Sequence, residues 1–263
     1  MLKNVVYYKF IVDSKRTYAK KERLETDSFN GDREMEELAE DERNVESEPW
    51  KITGKNGCAA AVKALRVCFK DLLEQFADYH FTGKLMQVVA AIYRFERISG
   101  GKTRSIFFSR EKGFLRAQIE FTKKITKLYQ LYHRLNFEHS ELRNEVKISV
   151  KGLYINHFKI PGGVSHFRIV SHMCIISDYF YVAKKKRFEP ISMYNTMSVC
   201  GYSDYLPVYS LSDVEVVVRF PDGVFPSEND TVIHCLGLEF FGLEGRSYYF
   251  YNTGSGVMVC DVF

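Results

Sequence analysis

The chain reads as an α+β protein in which an N-terminal helical hairpin precedes an antiparallel β-sandwich of Ig-like or jelly-roll-like type. Three observations predict this. Residues 58–76 repeat apolar side chains at helical spacing: Cys58, Ala61, Val62, Leu65, Cys68, Phe69, Leu72, Leu73 and Phe76. From Glu145 the period shortens to two, with Val146, Ile148 and Val150 alternating with Glu145, Lys147, Ser149 and Lys151. Beyond that point short apolar runs follow one another, separated by turn signals and without intervening helices, as in an antiparallel sandwich.

At 263 residues the chain can hold a sizeable core, and its 46% apolar and 27% charged content is ordinary for a globular protein. Aromatic residues reach 15%, nearly all Phe and Tyr, which suits strands. The formal charge of +4 is too small to argue for a nucleic-acid partner. Between Glu25 and Glu48, however, eleven acidic residues face only Arg33 and Arg43, so that stretch carries −9 and the remainder +13. The opening decapeptide has no uninterrupted apolar h-region, and no run of eighteen apolar residues occurs. The expectation is a cytoplasmic protein without a membrane span. Six cysteines without a CxxC pair fit free thiols in a reducing compartment.

Taken in order, residues 1–21 form a hairpin arm, turning at Asp13-Ser14-Lys15. The acidic segment 22–48 has too few apolar residues to bury a face and is expected to be a mobile insertion, closed by Pro49-Trp50. The helical hairpin occupies 49–103. Its first helix runs from about Gly57 to Ala77, capped by Thr53 or Asn56, and its second from about Thr82 to Glu96, with Leu85, Val88, Val89 and Ile92 inward. The sandwich fills 104–263. Its strands are Ser105–Ser109, Ala117–Phe121, Leu128–Phe137, Glu145–Lys151, His166–Ser177, Phe180–Ala183, Val214–Phe220, Val232–Phe241, Ser247–Asn252 and Val257–Phe263. Residues 122–135 fit a helix as well, and strand is preferred. Turns are placed at Pro161-Gly162-Gly163, Pro221-Asp222-Gly223, Leu243-Glu244-Gly245 and Gly254-Ser255-Gly256.

Several of these segments occur together in one order. They are Thr53-Gly54-Lys55-Asn56-Gly57, Ala59-Ala60-Ala61, Leu65-Arg66 with Leu72-Leu73, His166-Phe167-Arg168-Ile169-Val170, and Leu236-Gly237-Leu238-Glu239-Phe240-Phe241. In that order they resemble a family of uncharacterised proteins common in Bacteroidota genomes. The resemblance covers 1–21 and 50–263 and implies a short hairpin, a helical pair and a C-terminal β-sandwich. It implies no activity, cofactor or catalytic residue, and the acidic segment looks like an insertion relative to it.

Candidate chemistry is sparse. Gly101-Lys102-Thr103 ends like a phosphate-binding loop, but the glycine required five residues earlier is Glu96, and a helix rather than a strand precedes it. His166, His172 and Cys174 share one face of an extended strand, with His234 and Cys235 on a neighbour. At about 3.3 Å per residue the outer members lie too far apart for one metal. His172 and Cys174 remain as a possible pair of ligands, and no metal or cofactor is expected. No G-x-S-x-G or local cysteine signature selects a nucleophile. Lys184-Lys185-Lys186-Arg187 marks the exposed end of a hairpin and could touch an anion, or simply keep a strand edge soluble. Tyr202, Tyr205 and Tyr209, with the run Tyr248-Tyr249-Phe250-Tyr251, could form a ligand platform. The leading expectation is a non-enzymatic structural or protein-interaction module that self-associates, with a protein partner or a second copy. The alternative is a glycan- or peptide-binding sandwich using exposed tyrosines, and a metal-dependent enzyme comes third.

Overall fold

Two compact units divide the chain, Met1–Glu48 and Pro49–Phe263. The computed structural model describes residues 7–13, 16–22, 49–76, 80–98, 105–119, 121, 126–155 and 160–263, with side chains from Gly54 onward except 96–98, 126 and 127. In the first unit β1 (Tyr7–Asp13) pairs antiparallel with β2 (Arg16–Glu22), from Tyr7 opposite Glu22 to Asp13 opposite Arg16. The turn residues Ser14 and Lys15, and the acidic segment from residue 23 to 48, lie outside the described residues. So does the loop 99–104 that carries Gly101-Lys102-Thr103.

The second unit opens with α1 (Pro49–Cys68), broken at Phe69 and continued as α2 (Lys70–Phe76), followed by α3 (Phe81–Ile98). Pro49 begins the helix instead of closing the segment before it, because its fixed φ and missing N–H suit a first helical position. Thr53 and Asn56 therefore lie inside α1 and do not cap it. The two interior glycines hide this start, since each lowers helix propensity by about 1 kcal/mol. Close approaches account for both: a Cβ on Gly54 would fall 2.7 Å from the ring of Tyr93, and one on Gly57 2.7 Å from the ring of Phe188. The expected stripe is buried from Cys58 to Phe76, with Leu73 half-buried, and so is its counterpart Leu85, Val88, Val89 and Ile92.

Three sheets follow. In the largest, β6 (His166–Ser177) pairs with β12 (Asp230–Glu244), which pairs with β13 (Ser247–Val262). The other side of β6 is shared by β9 (Ser198–Tyr202) and β10 (Leu206–Pro207). A second sheet has the order β11 (Ser212–Arg219), β5 (Glu145–Leu153), β4 (Asn136–His139). A third joins β3 (Ser105–Ile106), β7 (Tyr179–Val182) and β8 (Arg187–Pro190). Every pairing is antiparallel. The class is α+β with a β-rich body.

The five-stranded sheet divides two cores by simple alternation. Val170, Cys174 and Ile176 of β6 and Ile233 and Cys235 of β12 join the helices in one cluster. Phe167, Ile169, Met173 and Ile175 of β6 and Leu236, Leu238 and Phe240 of β12 point the other way. They share a second cluster with Val146, Ile148, Val214, Val216 and Val218 of the β5–β11 pair.

The structure corrects three strand expectations and one turn. Ala117–Phe121 is not a strand, because α4 (Lys112–Gln118) takes its first two residues and Ile119 caps that helix, with Leu115 and Ile119 buried four residues apart. Leu128–Phe137 divides into α5 (Thr126–Tyr132) and β4. Leu128 and Leu131 are buried while Tyr129 and Gln130 between them are exposed, which is helical spacing. Ser105–Ser109 shortens to the two residues of β3, because the chain turns at Phe108–Arg110. Gly254-Ser255-Gly256 is no turn: β13 runs through it as one strand with a bulge. Among the described residues no helix is long and apolar enough to cross a membrane.

Candidate functional site

The face of the five-stranded sheet that carries the helices does not stay apolar to its end. Beyond Val170 the next side chain on that face of β6 is Arg168, and its cross-strand neighbour on β12 is Glu239. Carboxylate oxygen Oε2 of Glu239 accepts from Arg168 Nε at 2.7 Å and Nη2 at 2.6 Å. Glu239 is sealed, its side chain 1% exposed, while Arg168 keeps 19%. Oxygen Oε1 of Glu239 is buried without a hydrogen-bond partner. Burial raises the carboxyl's pKa, and the Arg168 guanidinium works against that rise.

Aromatic rings surround the pair. The guanidinium carbon of Arg168 lies 4.2 Å from the ring centre of Tyr202, 5.2 Å from Tyr205 and 5.4 Å from Phe241. Tyr205 stacks on Tyr248 at 4.0 Å with 6° between the ring planes, and Phe241 meets Tyr205 edge-on at 4.8 Å. Phe250 continues the row, 5.8 Å from Phe241 and 6.4 Å from Phe76 at the end of α2. Phe241 is the buried floor, whereas Tyr202, Tyr205, Tyr248 and Phe250 are 46%, 37%, 39% and 38% exposed. His166 sets its ring edge-on to Tyr248 at 5.1 Å.

Two local devices assemble these rings. Ser203 clamps the β9–β10 connection to β6: its N–H donates to the Ile169 carbonyl, and its hydroxyl accepts from the Ile169 N–H. Tyr202 and Tyr205 on either side are thereby held over Arg168. The second device is the bulge in β13. Phe240 lies opposite Tyr251 and Leu238 opposite Gly256, so two steps on β12 correspond to five on β13. Three extra residues invert the alternation of the strand. Val257 and Val259 face the helices, yet beyond the bulge it is Tyr248 and Phe250 that reach that face, while Tyr251 packs into the second core. Ser255 holds the distortion, accepting from the Phe240 N–H and donating to the Tyr251 carbonyl. Gly254 at φ 85° supplies the left-handed turn of backbone.

Of the tyrosines the sequence singles out, Tyr202 and Tyr205 come together here. Tyr209 is exposed beyond β10, and no ring contact joins it to them among the described residues. Arg168 and Glu239 were not expected as a pair. The signal was an acid inside the apolar run 232–242, since a carboxylate is rarely buried alone.

The basic run lies elsewhere, at the β7–β8 hairpin end, where Ala183–Lys185 forms a 3₁₀ turn and Lys186 takes φ 51°. Lys185 and Arg187 both close on Glu189, at 2.9 and 2.6 Å, while Lys184 and Lys186 are exposed. His172 and Cys174 are buried under the helices. His172 lies 6.3 Å from the Phe69 ring and neither of its nitrogens reaches a partner at ordinary hydrogen-bond geometry. Burial lowers its pKa to about 4. Burial pushes the Cys174 thiol well up, and a hydrogen bond with the free thiol of Cys68 adds to that rise. His234, one strand over, faces the opposite core, where its ring meets Ser171 Oγ at 2.9 Å and Cys260 Sγ at 3.1 Å. Burial lowers its pKa to about 3. The sheet thus separates the two histidines, and no group of three or more potential metal ligands forms among the described residues. Comparison of the chain with protein-family models, with curated proteins and with solved structures gives no match.

Proposed function

We propose that this chain is a non-enzymatic binding module that presents the platform of Tyr202, Tyr205, Tyr248 and Phe250 to a ligand. The observation that carries the reading is the Tyr205–Tyr248 stack beside the buried Arg168–Glu239 pair. Four large rings, each more than a third exposed, gather around Arg168 and the buried Phe241. Contiguous exposed apolar surface with a polar focus is the usual composition of a recognition site. Within this reading the two sheets that share the second core constitute the sandwich expected from the sequence, and the Bacteroidota resemblance stands as kinship without an inherited activity. The test is to select ligands for the full chain from peptide and glycan libraries and to repeat the binding with a Tyr205→Ala/Tyr248→Ala double variant. Loss of the selected ligands supports the platform; undiminished binding places the site elsewhere.

A second reading, self-association, has its own observation. β13 is the outermost strand of its sheet, and residues 247–260 carry no charge, whereas exposed strand edges are ordinarily blunted by charged side chains or proline. Light scattering should then report an oligomer that Tyr249→Lys, at an exposed position of that strand, converts to monomer. A monomeric wild-type chain at every concentration ends this reading.

A further inference from the structure

Resting on the platform reading, we infer that its ligand is a neutral carbohydrate. The polar centre of the site is formally neutral, because one guanidinium is matched by one carboxylate at 2.6 Å. A ligand cation would meet the guanidinium of Arg168, which already lies 4.2 to 5.4 Å from three ring centres where a bound cation would sit. A ligand anion would compete with Glu239 for that same guanidinium. Neither charge gains from the exchange.

What the polar centre offers a ligand is a set of N–H donors. The bonds to Glu239 use two of the five N–H groups of Arg168. Glu239 Oε1 is a buried acceptor with no donor, a condition that costs about 1–3 kcal/mol. Arg168 is the member of the pair with exposed surface, so a ligand reaches the centre from the guanidinium side. Sugar hydroxyls accept from the guanidinium N–H groups that Glu239 leaves over, while the carboxylate stays sealed and holds the guanidinium in place. The C–H face of a pyranose, polarised positive by its oxygens, lies flat on the negative faces of aromatic rings. Rings and polar centre therefore call for one chemistry, an apolar flat face with hydroxyls at its rim.

The experiment uses the full chain on an array of neutral oligosaccharides (β-glucans, xylans and mannans) with sialylated and sulfated sugars beside them. A display library of random peptides is run in parallel. The expected result is binding of a neutral sugar that is insensitive to salt, with Tyr205→Ala and Tyr248→Ala each weakening it about three- to tenfold at unchanged thermal midpoint. Glu239→Gln, which keeps the shape of the side chain, should weaken it as well. An array without neutral-sugar binding, binding that both tyrosine variants retain, or a salt-sensitive preference for charged sugars overturns the inference. Peptides that bind in a Tyr205-dependent way beside an empty sugar array would reject the carbohydrate and keep the platform. Silence from both libraries would reject both.

Discussion

Arg168 and Glu239 stand opposite each other on β6 and β12, and the arginine closes on one carboxylate oxygen while the other stays buried without a donor. The two partners are unequal. Arg168 retains contact with water and can rehydrate if its acid is removed, whereas Glu239 cannot.

Arg168→Ala should therefore cost about 3 kcal/mol at neutral pH, more than Glu239→Gln does, because it leaves a charge uncompensated in the interior. The cost should shrink on acidification. The carboxyl's folded pKa is already raised by burial, and losing the guanidinium raises it further. An acid whose folded pKa exceeds its unfolded value is most stabilising when protonated, and that contribution is lost as pH rises through the folded pKa. Urea unfolding of the variant and wild type at pH 5 and pH 8 checks this. An equal penalty at both values would place the carboxylate in contact with water.

His172 and His234 predict the opposite trend for the wild-type protein. Their folded pKa values of about 4 and about 3 lie below the unfolded value of 6.5. Below pH 6.5 the unfolded chain takes up protons that the native state refuses, so stability falls as pH drops toward 4, by up to about 1.4 kcal/mol per pH unit for each histidine. His172→Leu should remove about half of that slope and leave stability at pH 7.5 nearly unchanged, since neither ring nitrogen makes a hydrogen bond of ordinary geometry. His234→Leu should instead destabilise at neutral pH, because it strands the hydroxyl of Ser171, and that cost should shrink as pH falls. Denaturation midpoints across pH 4–8 separate the two.

Gly57→Ala should destabilise even though alanine is the better helix former. The gain of about 1 kcal/mol in propensity is outweighed by a Cβ placed 2.7 Å from the Phe188 ring, an overpacking worth about 1–3 kcal/mol. Phe188→Leu should recover part of the loss when combined with it. An additive double-mutant cycle would dissociate the two positions.

Five of the six cysteines are buried and Cys200 is half-buried, and burial raises the thiols of Cys58 (to about 11), Cys174, Cys200, Cys235 and Cys260. Thiolates are the reactive form. The native protein should react slowly with an aromatic disulfide reagent, Cys200 first, and release six equivalents only in urea. Rapid native labelling of Cys58 would show α1 opening.

The parts of the fold that were legible in the sequence are those with an uninterrupted period. Cys58 to Phe76 and His166 to Ser177 each repeat over many residues, so one face is stated several times. Leu128–Leu131 offers a single helical turn inside a stretch that also alternates, and packing against the second core decides it. Gly254-Ser255-Gly256 has the composition of a turn and of a bulge alike. The bond from the Phe240 N–H to Ser255, fifteen residues away, selects the bulge. The candidate site was half legible for the same reason. Exposed tyrosines announce themselves in composition, but Arg168 and Glu239 are 71 residues apart, and only the register of β6 against β12 makes them neighbours.

That register also has a bearing on how the second unit comes apart. β6 and β12 each contribute alternate side chains to both interiors, so neither core owns a sheet it could keep on losing the other. Detaching the helices would bare Val170, Cys174, Ile176 and Cys235 to water, and detaching β5 and β11 would bare Phe167, Ile169 and Leu236. Residues 49–263 therefore melt as one cooperative body, and probes placed on either side of the central sheet report a single midpoint.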